Sequence, residues 1–314
     1  MARRVRLRAR RSLAALGLGA TVLAGCSACS GAPDAADPAD PSGPAAPSPA
    51  SPASPASPVS PGEEGAVGAP GLVWSDEFDG EAGAPPDPAV WQPDAFGHGG
   101  GNNELQCYTD DPANASLDGQ GHLVVSALSA PGHTCADGTV RDYTSARLTT
   151  ESSLSWQYGR LEVRAQVPAG VGTWPAFWAM GTDRAEVGWP RSGEIDVMEH
   201  VGRSPTLVTG SIHGPTEAGT RWQVTREHDA GAPLSDGFHT YAVGWGPDGL
   251  EWELDGRPWG GVSRAEAEQL GLWAFDKPFY LLLNLAIGGD LGGPVPPETP
   301  FPQYLVVDHV RVYQ

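Results

Sequence analysis

Leu161-Glu162-Val163-Arg164-Ala165-Gln166-Val167 places an apolar side chain at every second position. Successive side chains of a β-strand point to opposite faces of a sheet, so this pattern is typical of a strand with one buried and one wet face. The same period of two, rather than the helical period of 3.6, dominates the chain after residue 70. The stretch therefore predicts a β-fold.

Similar short segments recur on both sides of this strand. They are rich in Val, Tyr, Trp and Thr, are separated by Gly, Pro and Asp, and lie at 122–128, 145–151, 206–213, 238–245, 279–286 and 305–313. Residues 251–254 also alternate and end at Asp255-Gly256, a typical hairpin turn. Only residues 264–270 are predicted to be helical. This pattern indicates an all-β fold, an antiparallel sandwich without internal repeats or a second domain.

The segment Gly193-Glu194-Ile195-Asp196-Val197-Met198-Glu199-His200 contains three carboxylates, and all three fall within the six residues 194–199. On a regular strand Glu194 and Asp196 share a face, whereas Glu199 lies on the other. One extra residue after Asp196, at position 197 or 198 of a β-bulge, would return Glu199 to the shared face. On a concave strand the two glutamates could then lean to the ~5–5.5 Å carboxyl separation of retaining glycosidases. Asp196 between them could move their pKa values apart.

An alternative is that these acids simply face solvent, as strand carboxylates of an acidic protein often do. The run Trp174-Pro175-Ala176-Phe177-Trp178 lies just upstream and favours a binding cleft, because a solvated acidic face needs no strand rich in tryptophan beside it. The sequence therefore predicts a catalytic pair of glutamates.

The net charge of the chain limits the classes of molecule that it is expected to bind. Of the 19 basic residues six are arginines within residues 1–11, so 13 remain against 38 acids, a net charge of −25 after residue 25. Such a polyanion would be repelled by nucleic acids and acidic polysaccharides, which favours a neutral substrate. The eleven tryptophans suit stacking on sugar faces. We expect a monomer that binds a neutral polysaccharide and no nucleic acid.

The first seventy residues predict an export signal and a linker rather than part of the folded domain. Arginines and then a short apolar stretch end in Leu23-Ala24-Gly25-Cys26, typical of a lipoprotein-type signal peptide at 1–25 with Cys26 as the lipidated residue. An ordinary signal with a chance cysteine is the alternative, and the export route, general secretory or twin-arginine, stays open. Residues 26–70 are rich in Pro, Ala and Ser and predict a disordered stalk. We expect a cell-surface lipoprotein that contacts the membrane only through its anchor.

Four cysteines remain to be assigned. Cys26 and Cys29 stand at the processing site before the stalk, which argues against a redox or metal role. Cys107 and Cys135 lie inside the predicted folded region at 71–314. In an exported protein they either form one disulfide or stay as two thiols.

The carboxylate run resembles glycoside hydrolase family 16, in its bacterial laminarinase branch. The family motif Glu-x-Asp-x-x-Glu matches residues 194–199 at every position, and the likeness extends along nearly all of 71–314. Its other matching segments are Trp74–Phe78, Gly101–Gln106, Tyr143–Leu148, Trp174–Trp178, Ile212–Gly214, Phe238–Ala242, Asn284–Gly289 and Val307–Tyr313. The resemblance implies a jelly-roll sandwich with a substrate cleft on its concave face.

The resemblance also implies the roles of the acids. Glu194 would be the nucleophile, Glu199 the acid and then the base, and Asp196 an assistant of the nucleophile, with no cofactor for catalysis. The sugar contacts that it implies are Asn102, Arg147, Trp174, Trp178 and His213. Trp178 could instead be a core residue, and Arg147 could merely pair with an acid.

Many members of the family bind a structural calcium ion on the convex face. The matching positions are Glu77, the backbone near Gly121, and Asp308, and oxygen ligands suit this ion. Asp308 could equally be an outward-facing polar strand residue. The sequence thus leaves the calcium site as an expectation.

Two other functions compete with β-1,3-glucan hydrolysis. The same fold cleaves β-1,3-1,4-glucans, agars and carrageenans; mixed-linkage enzymes carry the unbulged motif Glu-x-Asp-x-Glu, which the extra Met198 contradicts, and the net charge disfavours sulfated galactans. A non-catalytic glucan-binding module would have lost its carboxylates, and here all three are present. An endo-acting, retaining β-1,3-glucanase is therefore the function predicted.

Overall fold

The structure is a computed structural model and describes residues 71–314. The predicted signal peptide at 1–25, the lipidation site Cys26 and the stalk at 26–70 lie outside the described residues. Within residues 71–314 the chain forms seventeen strands, in order β1 Leu72–Asp76, β2 Gln92–Pro93, β3 Gln106–Tyr108, β4 Ala115–Leu117, β5 Leu123–Thr134, β6 Val140–Ser145, β7 Arg147–Thr149, β8 Gly159–Gln166, β9 Thr173–Gly181, β10 Glu194–Glu199, β11 Leu207–Pro215, β12 Arg221–Asp229, β13 His239–Gly246, β14 Gly249–Leu254, β15 Arg257–Ser263, β16 Phe279–Ile287 and β17 Gln303–Tyr313.

Helices are short in this part of the chain. Three single-turn helices, α1 Arg184–Val187, α2 Arg264–Ala267 and α3 Gly289–Gly292, and one 3₁₀ turn at Leu234–Asp236 interrupt the strands. The predicted helix at 264–270 is confirmed over α2, whose start is capped by the Ser263 hydroxyl accepting from the Glu266 amide. No helix of the described chain has the length and apolar character that crossing a bilayer would take.

The strands form two sheets that face each other. The larger sheet has the order β15-β14-β13-β8-β17-β5-β6-β3, with β1 beside β17 and β4 beside β5. The smaller sheet has the order β12-β11-β10-β9-β16-β7-β2. Neighbours are antiparallel except for β3 and β6. This arrangement confirms the predicted all-β jelly-roll sandwich of two antiparallel sheets.

The core lies between the sheets and follows the alternation of the sequence. Leu161, Val163 and Ala165 of β8 are buried in it, as the pattern predicts. Strand β16 is buried at all nine positions. Its odd-numbered side chains, from Phe279 to Ile287, enter the core, whereas Asn284 and Ala286 border a cleft on the opposite face of the sheet. One face of the smaller sheet therefore supplies core and the other supplies the cleft.

The loops that join the strands follow simple backbone rules. Asp255 and Gly256 have φ values of 51° and 72° and connect β14 to β15, which confirms the predicted hairpin turn.

Cys107 on β3 and Cys135 form a disulfide, with Cα atoms 5.4 Å apart. Strand β12 was not predicted, although Trp222 and Val224 alternate there with exposed residues and enter the core.

Candidate active site

Strand β10 carries the three predicted acids on one face by means of a bulge. Asp196 pairs with Ser211 of β11 and Glu199 pairs with Thr209, so two residues of β10 lie opposite one residue of β11. The register with β9 shifts at the same place, between Asp196 and Met198. Because of the extra residue all three carboxyls border the cleft, and the bulge that the sequence predicts is confirmed.

The side chains between the acids point the other way. Ile195, Val197 and Met198 are buried in the core between the sheets. Two consecutive apolar residues, Val197 and Met198, thus anchor the bulge from below, while Glu194 and Glu199 remain partly accessible above. A strand of six residues thereby connects the core directly to the cleft.

The cleft has a volume of about 540 Å³ and crosses the smaller sheet. Its lining runs from Arg221 and Gln223 on β12, through the acids of β10, to Arg147 on β7. Neighbouring strands of a sheet are ~4.8 Å apart, and five such steps separate β12 from β7, so the lining spans roughly 24 Å. That length accommodates several sugar units of a chain lying across the strands.

Two tryptophans hold the two glutamates. The indole nitrogen Nε1 of Trp174 on β9 donates to Oε1 of Glu199 at 3.0 Å. The indole nitrogen of Trp189, in the loop between α1 and β10, donates to Oε2 of Glu194 at 2.7 Å. Each carboxylate keeps its second oxygen for other partners, so both side chains are oriented without being neutralised.

Asp196 lies between the glutamates and contacts a histidine. Its Oδ2 is 2.9 Å from Nε2 of His213, which is also 3.7 Å from Oε1 of Glu194. Burial lowers the pKa of His213, more than the nearby Glu194 and Glu199 raise it. We therefore assign a neutral imidazole whose Nε2–H donates to Asp196; its buried Nδ1 then carries only a lone pair, which matches the lack of a hydrogen-bond partner for it among the described residues.

Burial controls the acidity of the three carboxyls. The pKa of Glu194 is raised to about 7, first by removal from water and then by the negative charge of Asp196, while His213 and Trp189 oppose the rise. Burial is also the first cause of the raised pKa of Glu199, followed by the charges of Asp196 and Glu194. The pKa of Asp196 is raised as well, because burial outweighs the lowering effect of its hydrogen bond to Glu194. The site therefore retains protons to a pH at which an ordinary carboxyl has lost them.

The five predicted sugar contacts all border this cleft. Asn102 lies in the loop before β3, Arg147 on β7, Trp174 and Trp178 on β9, and His213 on β11. Trp178 is half-buried, and its Nε1 donates to Oδ1 of Asn284 at 2.8 Å. The guanidinium of Arg147 lies 5.0 Å from the centre of the Trp178 ring.

Arg147 also has an acidic partner. Its Nε is 2.8 Å from Oδ2 of Asp94, and its guanidinium lies 5.5 Å from the centre of the Phe96 ring. The ion pair that the sequence left as an alternative therefore exists together with a position on the cleft wall. Held between two rings and a carboxylate, the guanidinium is fixed before any ligand binds.

Several lining residues were not predicted from the sequence. They are Glu104, Tyr108, Met180, Arg184, Trp189, Arg221, Gln223, Asn284, Asp290 and Leu291. Alternation could have found Asn284, which shares a face with Ala286 on β16 and donates through Nδ2 to the Tyr108 hydroxyl at 3.1 Å. Trp189 belongs to an irregular loop, in which alternation gives no signal.

The positions expected to bind calcium lie at the larger sheet, with Asp308 on β17 and with Glu77 and Gly121 in the loops that follow β1 and β4. A Cβ placed on Gly121 would be 3.9 Å from the main-chain oxygen of Glu77, and His122 Nε2 is 3.9 Å from Oδ1 of Asp308. The carboxylate of Glu77 is bound by Arg311, and Oδ2 of Asp308 accepts from Arg164 at 2.8 Å. Main-chain oxygens and Asp308 Oδ1 are thus the donors that this arrangement leaves for an ion.

A second set of potential metal ligands belongs to the cleft itself. One ligand atom from each of Glu194, Asp196 and His213 lies within 4.8 Å of the others. The His213 nitrogen in this set is already hydrogen-bonded to Asp196. Asp196 and His213 are therefore already each other's hydrogen-bond partners, with Glu194 beside them.

Comparisons with known proteins agree with this geometry. The sequence model of glycosyl hydrolases family 16 matches residues 125–294. The chain is 42% identical over 261 residues to a beta-glucanase of Rhodothermus marinus, covering 77% of this chain and 85% of that protein. It is 39% identical over 237 residues to a glucan endo-1,3-beta-glucosidase of Cryptopygus antarcticus, covering 72% and 83%. The structure of the laminarinase catalytic domain from Thermotoga maritima is similar with a TM-score of 0.70 and 39% identity, covering 79% of this chain and 99% of that one.

Proposed function

The chain belongs to glycoside hydrolase family 16, and we propose that it is an endo-acting β-1,3-glucanase that hydrolyses internal β-1,3-glucosidic bonds with retention of configuration. One observation carries the proposal: a single bulged strand presents Glu194, Asp196 and Glu199 together to a cleft that spans the sheet. The curated relatives act on β-glucans according to their names, and the structural neighbour is a laminarinase.

In the first step Glu194 is the nucleophile. Its carboxylate attacks the anomeric carbon of the bound sugar, and the bond from that carbon to the leaving oxygen breaks. Glu199 gives its proton to this oxygen, so the leaving sugar departs as a neutral alcohol. The raised pKa of Glu199 keeps the proton available until that moment.

In the second step the glycosyl-enzyme is hydrolysed. Glu199, now ionised, takes a proton from water, whose oxygen attacks the anomeric carbon and releases Glu194. Esterification has removed the charge at Glu194, which lowers the pKa of Glu199 and suits it to act as a base. Asp196 is hydrogen-bonded to His213, whose Nε2 lies 3.7 Å from Oε1 of Glu194, and both side chains are fixed beside the nucleophile by burial.

The length of the cleft supports attack within a chain. Sugar contacts are available on both sides of β10, with Trp178 and Arg147 toward β7 and Gln223 and Arg221 toward β12. A substrate that lies across all of these strands places its scissile bond away from its ends. The products are therefore oligosaccharides from the first turnovers.

Parallel digestion of laminarin, curdlan, lichenan and agarose tests the proposal. We expect rapid shortening of laminarin and curdlan, none of agarose, and no activity of Glu194→Gln, because a neutral amide cannot attack the anomeric carbon. Azide should restore activity to Glu194→Gly, but not to Glu194→Gln, on an activated glycoside. A preference for lichenan would indicate a β-1,3-1,4-glucanase, and binding without cleavage would indicate a glucan-binding module.

Proton NMR during the first minutes of the reaction tests the stereochemistry. Two displacements at the same carbon return the β-anomer as the initial product. An α-anomer appearing first would mean that the two glutamates act as acid and base around a water molecule, and the nucleophilic role of Glu194 would be wrong.

We also propose that the protein acts at the cell surface. The pattern of residues 1–26 supports export and lipidation of Cys26, and residues 26–70 would separate the catalytic domain at 71–314 from the membrane. Cys26→Ala should release the protein into the medium or leave it unprocessed. A truncated chain that begins at Gly71 should keep full activity.

A structural calcium ion on the convex face remains a proposal as well. Main-chain oxygens near Glu77 and Gly121, with Asp308 Oδ1, suit a hard cation in their chemistry. Calcium should then raise the melting temperature of the parent protein but not that of Asp308→Ala. Equal shifts in the two proteins would exclude Asp308 as a ligand.

A further inference from the structure

A glycine of β11 lies opposite the bulge that brings Glu199 into the cleft. Asp196 pairs with Ser211 and Glu199 pairs with Thr209, so the single β11 residue between these pairs is Gly210. A Cβ placed on Gly210 would stand 2.3 Å from Nε1 of Trp252. The absence of a side chain at this position is therefore required by a tryptophan of the opposite sheet.

Trp252 fills the space at the bulge and makes a hydrogen bond there. It lies on β14 and is fully buried, with an exposed fraction of 0%. Its indole N–H donates to the main-chain oxygen of Asp196 at 2.9 Å. A bulge disrupts the regular strand ladder, and a buried carbonyl near it needs a donor from elsewhere. The indole supplies that donor.

We propose that Trp252 and Gly210 are a positioning pair that fixes the bulge of β10, and with it the placement of Asp196 relative to Glu199. Trp252 reaches the strand from the second sheet, so the pair couples the packing of the sandwich to the catalytic acids. The inference rests on the proposed glucanase function for its activity readout only. The hydrogen bond and the close packing are properties of the structure itself.

Shape alone does not account for the choice of tryptophan. A phenylalanine would occupy much of the same volume but would leave the Asp196 carbonyl without its indole donor in a dry environment. An alanine at position 210 would push the indole away from β11 and lengthen the same hydrogen bond. Gly210 has no positive φ, so the steric contact is the main effect of Gly210→Ala. Two different substitutions thus act on one contact.

The same strand provides a matched control pair. A Cβ on Gly214 would stand 2.4 Å from Cζ2 of Trp222, which is also buried and donates through Nε1 to the Pro215 oxygen at 2.9 Å. Trp222→Phe and Gly214→Ala therefore remove a comparable buried hydrogen bond or crowd a comparable indole. They do so away from the bulge and outside the cleft lining.

The experiment compares Trp252→Phe and Gly210→Ala with Trp222→Phe and Gly214→Ala on laminarin between pH 4 and pH 9. Displacements of about 1 Å in a catalytic group can cost on the order of 100-fold. We expect a fall in kcat of roughly 10- to 100-fold for the Trp252 and Gly210 variants, with KM within about twofold of the parent. The double variant should lose little more than either single variant, because both remove one contact.

The pH profile separates positioning from a general loss of stability. A loosened bulge admits water to Glu199, which weakens the burial that raises its pKa. The basic limb of the profile should therefore move to lower pH in the Trp252 and Gly210 variants and stay in place in the Trp222 and Gly214 variants. A carbon-13 titration of Glu199 gives the same comparison without substrate.

Three outcomes are distinguishable. A parent protein without activity on any β-glucan would remove the proposed function but leave the titration as a test of the positioning pair. Equal effects on kcat and on the Glu199 titration in both sets of variants would overturn the inference, since they would show a nonspecific packing defect. Unchanged kcat and titration in Trp252→Phe would overturn it as well.

Discussion

Two indole groups, rather than arginines or lysines, bind the two carboxyls that we propose to be catalytic. Trp174 donates to Glu199 and Trp189 donates to Glu194. A neutral donor orients a carboxylate while adding no full positive charge beside it, so burial and the neighbouring acids keep the pKa high. An arginine in place of Trp174 would lower the pKa of Glu199 and remove the proton that the leaving group needs.

The pH dependence of the reaction follows from these environments. The proposed mechanism requires an ionised Glu194 and a protonated Glu199, so kcat/KM of the free enzyme should follow a bell-shaped profile. Because burial and Asp196 raise the pKa of Glu194 to about 7, the acidic limb should lie far above the ordinary value of 4.5. Initial rates on laminarin from pH 4 to pH 10 measure this limb; one centred near pH 4.5 would contradict the burial of Glu194.

The charge at position 194 should also be visible in the titration of Glu199. The negative Glu194 is one cause of the raised pKa of Glu199, after burial and Asp196. Glu194→Gln should therefore lower the pKa of Glu199. The pKa should fall only part of the way to its ordinary value, since the burial of Glu199 remains. Carbon-13 NMR of the Glu199 carboxyl measures the difference, and identical titrations would show that the two carboxyls do not sense each other.

The raised pKa of Glu199 should also lower the free energy of unfolding of the protein at high pH. The unfolded glutamate ionises from about pH 4.5, whereas folded Glu199 keeps its proton to higher pH, so this group destabilises the fold progressively as the pH rises through that interval. Glu199→Gln cannot ionise and should gain stability over the parent at pH 8, by about 1 kcal/mol or more, but not at pH 4. Urea unfolding at both pH values measures this gain. Glu251→Gln, at an exposed strand position, is the control and should show no such gain.

At the level of strands, the bulge of β10 was predictable because it depends only on which face of the strand each of a few neighbouring residues occupies. Three acids that must share a face cannot do so at positions 194, 196 and 199 without one extra residue. The hairpin at Asp255-Gly256 was predictable for the same reason, since two adjacent residues decide it. Such features depend on a few neighbouring residues of one sequence.

Contacts between distant elements could not be found in this way. Trp252 is 56 positions from Asp196, and alternation predicts only that Trp252 is buried, not which carbonyl it meets. Trp189 reaches the cleft through an irregular loop, and alternation could place Asn284 on a face of β16 but could not specify that β16 pairs with β9. The family resemblance implied the five expected sugar contacts, but it gave no role to Trp189, Trp252 or Asn284.

The disulfide between Cys107 and Cys135 should stabilise one end of the cleft. Cys107 adjoins Tyr108, which accepts from Asn284 and borders the cleft. The bridge closes a loop of sequence separation 28, so removing it should cost about 2–4 kcal/mol. Cys107→Ala/Cys135→Ala should therefore melt at lower temperature and raise KM for laminarin more than it lowers kcat. Unchanged KM in a destabilised variant would show that the bridge serves the fold and not the cleft.

At the level of the whole molecule, charge and cleft chemistry point to the same substrate class. Most cations of the described chain are engaged locally, as in the pairs of Arg160 with Glu253 and of Arg311 with Glu77. The cleft itself contains Glu104, Asp290 and the three acids of β10. Arg147, Arg184 and Arg221 line it as well, so it is the net negative charge of the whole chain that repels anions. The tryptophans of the cleft wall offer the uncharged contacts that neutral sugars use.

A β-1,3-glucan that carries anionic groups should measure this repulsion. Carboxymethylated curdlan has the same backbone linkage as laminarin but a negative charge on many sugars, so its approach to a chain with 38 acids is unfavourable. At low ionic strength its kcat/KM should be well below that of laminarin. Salt shortens the Debye length from ~30 Å at 0.01 M to ~8 Å at 0.15 M, so kcat/KM for the anionic polymer should rise with salt while that for laminarin stays level. A loss of activity on the anionic polymer as salt is added would mean that cations of the cleft lining such as Arg184 and Arg221 attract it, and the substrate class inferred from net charge would be wrong.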